Sequence, residues 1–188
     1  MTAPIASLVL KDFEELAARV GDHFVHNGLN GRGCILSPCG EYRRLIWQAG
    51  GITSGFLGFG CLNPSVATHE VDDPTWTRIR KRASGYGGVL IWNAFDVRTK
   101  DPLEMKAHAK PSSDVNNEYI KLAVRSSVMT IIGWGEHASH QSRDLYLRRM
   151  LACEGAVLHA LHINKSGQPK HPLYISAGVE PVLWDYIP

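Results

Sequence analysis

Val89-Leu90-Ile91-Trp92 is a short, wholly apolar run between turn signals, and it is closed by Asn93. A run of this length without polar alternation is too short for a helix and reads as a strand covered on both faces. Three further runs of the same kind flank it: Gly55-Phe56-Leu57-Gly58-Phe59-Gly60, Val128-Met129-Thr130-Ile131-Ile132 and Val157-Leu158-His159-Ala160-Leu161. Helical signals separate them. Asp72-Asp73-Pro74-Thr75 is a helix start, with an Asp to cap, Pro in the first turn and carboxylates at the positive dipole end. That helix carries Arg78, Arg80, Lys81 and Arg82 and stops near Gly85. Asp101-Pro102 opens a short helix, and Ser113 or Asp114 opens a longer one through Ile120, Leu122 and Ala123. Residues 139–152 form an amphipathic helix with Leu145, Leu147, Met150 and Leu151. Buried strands alternating with helices give an α/β fold with a mainly parallel sheet.

Outward from this centre the signals weaken. Ser7 caps a helix over residues 8–20 that ends at Gly21. Residues 21–40 are rich in glycine and read as irregular. Tyr42-Arg43-Arg44-Leu45-Ile46-Trp47 reads as a strand, Ala49-Gly50-Gly51 as a tight turn, and Asn164-Lys165-Ser166-Gly167 as another. With 188 residues, the chain is expected to be a single domain over 1–188, with an N-terminal helix and irregular segment over 1–40 and a core over 42–184. Hydrophobic residues at 44% and charged residues at 20% exclude disorder for most of it. A net charge of +2 is too small to indicate nucleic-acid binding by itself and leaves a local basic face open. No basic, then apolar, leader stands in Met1-Thr2-Ala3-Pro4-Ile5, and no run approaches the roughly 18 apolar residues of a membrane span. A cytoplasmic protein with no membrane partner is expected, so Cys34, Cys39, Cys61 and Cys153 are expected as thiols.

In parallel sheets the working residues sit in loops at the carboxyl ends of the strands. Those segments are Gly60-Cys61-Leu62-Asn63-Pro64-Ser65, then Asn93, then Trp134-Gly135-Glu136-His137-Ala138, then His171-Pro172-Leu173-Tyr174. Each has an ordinary explanation alone: Asn-Pro is a common turn, and an Asn ending a strand is a common turn former. Together, in this order, they are far more specific.

In that order they resemble the uracil-DNA glycosylase superfamily. Its pattern is Gly-x-Asp-Pro or Gly-x-Asn-Pro after a first core strand, an Asn ending the next, a Trp-Gly turn after the third and a His-Pro loop after the fourth. More closely the chain is similar to the domain of unknown function 1643 family, an uncharacterised bacterial and phage family. That family shares Leu-Asn-Pro-Ser, Asp-Asp-Pro-Thr, a strand ending in Asn, the Trp-Gly turn and His-Pro-Leu-Tyr. The resemblance covers about residues 42–184. It implies a three-layer α/β sandwich around a central, mainly parallel four-stranded sheet, with an N-terminal hairpin and helix. It also implies a DNA glycosylase-like enzyme that hydrolyses the N-glycosidic bond of a flipped-out nonstandard or modified base. DNA repair, modified-base processing and phage defence are the settings it suggests.

The residues suit that chemistry. Breaking an N-glycosidic bond makes an oxocarbenium-like sugar and a departing base anion, so water must be placed on one side and the anion stabilised on the other. Asn93 carries a donor and an acceptor and can read a base edge in a bidentate way; the resemblance makes it the recognition residue, with Ser65 beside it in the base site. His171 can donate to the developing anion, and Asn63 matches the water-positioning residue. Asn63 stands where the strongest glycosylases have Asp, and an amide cannot take a proton from water as a carboxylate can. A slower enzyme is therefore expected. Asp72 or Asp73 can supply the missing carboxylate, with Asp73 the catalytic candidate; the ordinary reading is helix cap and dipole partner. Trp76 can stack on a base, or belong to the core. Leu173 or Tyr174 can wedge into the space a flipped base leaves.

Basic residues supply phosphate contacts. The candidates are Arg78 and its helix neighbours, Lys165 and Lys170 flanking His171, and the pairs Arg43-Arg44 and Arg148-Arg149; a solvated face is the ordinary reading of each. Cys34 with Cys39, and the pairs His23/His26, His137/His140 and His159/His162, lack a fixed further ligand, so neither metal nor organic cofactor is expected. The partner expected is single- or double-stranded DNA. Two competing readings remain: a catalytically inactive nucleic-acid-binding module, favoured by Asn63, and an enzyme on a free nucleotide or nucleoside.

Overall fold

The computed structural model describes residues 5–50 and 55–185. Helix α1 (Ile5–Val20) buries Phe13, Leu16 and Ala17 and stops at Gly21. Ser7, expected as its cap, already lies inside the helix. A single Ser does not force a boundary when its neighbours can continue the turn.

Strands β1 (His23–Asn27) and β2 (Arg32–Leu36) then form an antiparallel hairpin, where an irregular segment over 21–40 is expected from the glycines. Gly33 serves packing rather than irregularity. A Cβ at Gly33 would overlap the ring of Trp47 and sit 2.5 Å from the Val25 carbonyl oxygen, so glycine is what lets the indole lie across the strand. Strand β3 (Arg43–Ala49) pairs with β2. Its register slips at the start: Ile35 faces Leu45, but Leu36 faces Arg43, which leaves Arg44 as the extra residue of a bulge. Gly51 of the expected 49–51 turn lies outside the described residues, as do Met1 to Pro4 of the N-terminal segment.

Strand β4 (Phe56–Cys61) follows, then helix α2 (Pro74–Arg82). Asp73 caps α2, its Oδ1 accepting from the Trp76 N–H at 2.7 Å, and Pro74 takes the first helical position. Strand β5 (Gly88–Asn93) leads to α3 (Pro102–Ala107), capped by Asp101. Helix α4 (Asn116–Arg125) starts after both residues expected to open it. Ser113 instead donates to Asp96 at 2.5 Å, and Asp114 accepts from Lys110 at 2.6 Å, so neither side chain is available as a cap. After β6 (Ser127–Ile132), residues 136–142 form a kinked 3-10 segment, and helix α5 (Arg143–Cys153) begins four residues later than the sequence pattern suggests. Gln141 and Ser142 at φ 54° and 55° make that break. Strands β7 (Leu158–Ala160) and β8 (Val182–Leu183) complete the sheet.

Among the described residues the fold is α/β with one mixed eight-stranded sheet, order β1-β2-β3-β5-β4-β6-β7-β8. The sheet is twice as wide as the expected four strands, because residues 23–49 and the tail both add antiparallel strands. Within it β4 runs parallel to β5 and β6, and β6 runs parallel to β7. Apolar clusters cover both faces. Phe13, Trp47, Tyr119 and Leu147 lie on the side of α1, α4 and α5. Ile46, Phe59, Trp76 and Ile79 lie on the side of α2. No helix among the described residues is long and apolar enough to cross a membrane.

Candidate functional site

Parallel strands end on one edge of a sheet, so the segments that follow β4, β5, β6 and β7 meet there. They enclose a cavity of about 600 Å³, within the usual range of small-molecule clefts. Asn63, Ser65, Asn93 and His171 all line it, together with Asp73 and Lys170. Chain segments distant in sequence therefore share one cleft.

Asn93 ends β5 and is 1% exposed. Neither its Oδ1 nor its Nδ2 has a hydrogen-bond partner among the described residues. Its main chain is well held: the Asn93 carbonyl accepts from Asn116 Nδ2 at 3.2 Å, and the next amide, of Ala94, donates to the Cys61 carbonyl at 2.8 Å. A rigid strand end thus presents an unpaired carboxamide to the cavity. Leaving such atoms unpaired costs roughly 1–3 kcal/mol each.

Asn63 is oriented by what its amide gives away. Nδ2 donates to the Thr99 carbonyl at 2.9 Å, to Thr99 Oγ1 at 3.0 Å and to the Pro64 carbonyl at 3.2 Å. Only the NH2 end can serve acceptors, so Oδ1 is left as an acceptor. His171 precedes a 3-10 turn, Pro172–Tyr174, and its Nδ1 accepts a long hydrogen bond from the Leu173 N–H at 3.4 Å. An accepting Nδ1 places the ring proton on Nε2. Burial pushes the His171 pKa below its usual value, partly opposed by the Asp73 charge. The side chain is therefore a neutral N–H donor at neutral pH.

The structure separates the two aspartates. Asp72 pairs with Arg32 and lies 3.7 Å from Arg80, outside the cavity lining. Asp73 spends Oδ1 on the helix cap and also lines the cavity. Trp76 is 2% exposed in the apolar cluster under α2, and the Arg32 guanidinium lies 4.6 Å from its ring centroid. Base stacking on that face is closed; the indole reaches the cavity only as part of its wall.

The His-Pro loop is braced from several sides. Gly133 allows its approach: a Cβ there would lie 2.8 Å from Pro172 Cδ. Trp134 Nε1 donates to Gln168 Oε1 at 3.0 Å, and Gln168 Nε2 donates to Asp144 at 2.5 Å. From α2, Arg78 donates to the Ile175 carbonyl at 2.8 Å and Arg82 to the Val179 carbonyl at 2.9 Å. One Arg78 nitrogen thus holds the chain after His171. Leu173 lines the cavity, and Tyr174 is 70% exposed at its rim, with its ring centroid 6.0 Å from that of His171. Lys165 is exposed on the 164–167 turn and does not line the cavity.

Arg43 and Arg44, read from sequence as part of a basic surface, are both buried, at 4% and 5% exposed. Strand β3 is an interior strand of the sheet, so its side chains meet protein instead of solvent. Arg44 faces Asp22 and Asp96, whereas Arg43 lines the cavity. Lys100 and Thr99, after β5, also line the cavity and carried no signal in the sequence. Arginine opening an apolar strand, Arg43-Arg44-Leu45-Ile46-Trp47, was the one sign that a charge goes inside.

The described cysteines are free thiols, Cys34 and Cys61 buried and Cys39 and Cys153 exposed. No group of three or more His, Cys, Asp or Glu among the described residues could hold a metal ion. No curated protein and no solved structure matches the chain. A family described as protein of unknown function, DUF1643, matches residues 43–173, a span running from Arg43 in the cavity wall to Leu173 in the His-Pro loop, and the chain belongs to that family.

Proposed function

We propose that the cavity holds a nucleobase and that the chain is a uracil-DNA glycosylase-like enzyme, hydrolysing the N-glycosidic bond of a flipped-out nonstandard or modified base in DNA. The observation that carries this reading is the Asn93 carboxamide, buried on a strand end with donor and acceptor both unpaired. A ligand that offers one acceptor and one donor side by side, as a base edge does, satisfies both at once. The parallel run β5-β4-β6-β7, with the lining segments at its carboxyl ends, supports the same reading.

Each lining side chain takes a role in this reading. Base flipping delivers the nucleotide to a pocket that a stacked duplex cannot offer. His171 Nε2–H donates to the anion that develops on the departing base; a neutral donor needs no protonation at neutral pH. Asn63 Oδ1 orients the attacking water. The Asp73 oxygen not used in the cap is the carboxylate placed to take its proton. Lys170, with Tyr174 at the rim, is placed to meet the DNA backbone and the gap in the stack.

A second reading, an enzyme on a free nucleotide or nucleoside, is favoured by a specific observation. Arg43 and Arg44 are buried, and Arg78 and Arg82 are spent on main-chain carbonyls, so less basic surface is free for DNA than the sequence suggests. One experiment separates the two. Single- and double-stranded oligonucleotides carrying uracil or modified pyrimidines are incubated with the protein and treated with hot alkali. Strand breaks that disappear in His171→Ala and Asn63→Ala are the expected result. Base release from nucleosides, with no abasic product in DNA, would favour the second reading.

A further inference from the structure

Arg43 has an unusual environment. Its Nη1 donates to the Ala67 carbonyl at 2.6 Å, while its buried Nε–H has no partner among the described residues. No described carboxylate forms an ion pair with it, in contrast to Arg44 next to it and Arg32 on β2. The two thiols that face it, Cys34 and Cys61, offer no counter-charge: burial pushes Cys61 up to about 12 and Cys34 upward as well, so both are neutral. Asp73, which lines the same cavity, is the main counter-charge acting on it, but makes no ion-pair contact with it. A buried, unpaired cation is one of the more expensive arrangements a protein can hold. A neutral base would leave that charge without a direct ionic partner; an oxyanion would supply one and fit the guanidinium fork.

We propose that Arg43 forms an oxyanion subsite in the inner part of the cavity, and that the base accepted there carries a carboxylate on its ring. The proposal rests on the reading of the cavity as a nucleobase site and deepens it. An oxyanion can come from two sources, a ring carboxylate or a nucleotide phosphate. Burial decides between them. Arg43 is 4% exposed and Asn93 1%, so both belong to the buried part of the cavity lining, away from its solvent-facing rim. The phosphates belong further out, where Lys100 is exposed and Lys170 half-buried. The cavity, at about 600 Å³, also has room beyond a bare pyrimidine.

The test measures binding of free uracil and cytosine, each with and without a 5-carboxylate, and of uridine with and without its 5′-phosphate, to the wild type, Arg43→Met and Arg43→Lys. The expected result is about tenfold or tighter binding of the acids than of their parent bases. That preference disappears in Arg43→Met and survives in part in Arg43→Lys, which keeps the charge and loses the fork. Equal binding of acid and parent base to the wild type would overturn the subsite and leave the nucleobase reading standing. A phosphate preference that depends on Arg43 would overturn the ring-carboxylate assignment. Failure of every base to bind would overturn both. The wild-type comparison decides the matter even if Arg43→Met does not fold.

Discussion

Two buried polar clusters lie back to back at the start of β3, and they are built on opposite rules. On the side of α1 and α4, Arg44 Nε donates to Asp22 at 2.8 Å and its Nη1 to Asp96 and Ser113, while Tyr119 donates to Asp22 at 3.0 Å. Both carboxylates there are met by the one guanidinium and by the neutral donors of Tyr119 and Ser113. On the side of α2, Arg43, Asn93 and His171 line a cavity with a guanidinium nitrogen and a whole carboxamide unpaired. Successive strand residues point to opposite faces, so the two consecutive arginines enter these two environments, next to the bulge at Arg44. The closed cluster is complete without any ligand. The open one is complete only with a partner supplied from outside, which is the physical mark of a binding site as opposed to a structural network.

The largest expected effect falls on the closed side. Arg44→Met strands Asp22 and Asp96 as uncompensated buried charges and should cost about 3–5 kcal/mol in urea unfolding. A loss below about 1 kcal/mol would mean that the pairing contributes far less than its burial suggests. On the open side the sign differs for stability and for function. Asn93→Leu keeps the volume and removes two unpaired polar atoms, so its unfolding midpoint should equal or exceed that of the wild type. Base release by the same variant should fall about 100-fold or more in single turnover. Destabilisation by Asn93→Leu would show that Asn93 is already satisfied without a ligand. Arg43→Met should lie within about 1 kcal/mol of the wild type, since the lost Ala67 hydrogen bond is offset by relief of a buried charge.

The smallest effect is a pH dependence. The His171 pKa is lowered by burial in the folded chain, so the unfolded chain takes up that proton first as pH falls. The contribution of His171 is therefore intact at neutral pH and is lost as pH drops below the usual histidine value toward the folded one. Base release should be level from neutral to mildly alkaline pH and decline only on the acid side. An activity that needs protonated His171 would instead rise as pH falls through that window, and a rate profile distinguishes the two.

The parallel strands were legible because short apolar runs such as Val89–Trp92 and Val128–Ile132 are too brief for helices and too uniform for an exposed sheet. That same reading located Asn63, Asn93 and His171, since strand ends are where parallel sheets converge. The β1–β2 hairpin was not legible in the residues of 21–40 themselves; an N-terminal hairpin was expected only from the resemblance. His23–Asn27 has little apolar content and half-exposed positions, and Gly33 is demanded by the ring of Trp47, which sequence spacing cannot reveal. The burial of Arg43 and Arg44 was missed for a related reason. Arginine looks the same in sequence whether it reaches water, a carbonyl or a carboxylate, and Arg43, Arg44 and Arg78 each find a partner or a cavity inside the protein. The start of α5 was displaced by two residues with positive φ, neither of them glycine.

The contrast between Asn93 and Asn116 gives the most direct test of the claim that the open cluster is a base site. Asn116 Nδ2 is already bonded to the carbonyls of Asn93 and Ala94 and to Ser112, leaving only its Oδ1 unpaired, whereas both ends of the Asn93 carboxamide are unpaired. Their side-chain amide signals, assigned in 15N-labelled protein with Asn93→Leu as reference, can be followed while a base-bearing oligonucleotide or the free 5-carboxypyrimidine is added. The account predicts that the Asn93 pair moves with ligand and the Asn116 pair holds still. Saturable binding that leaves the Asn93 signals in place would contradict it.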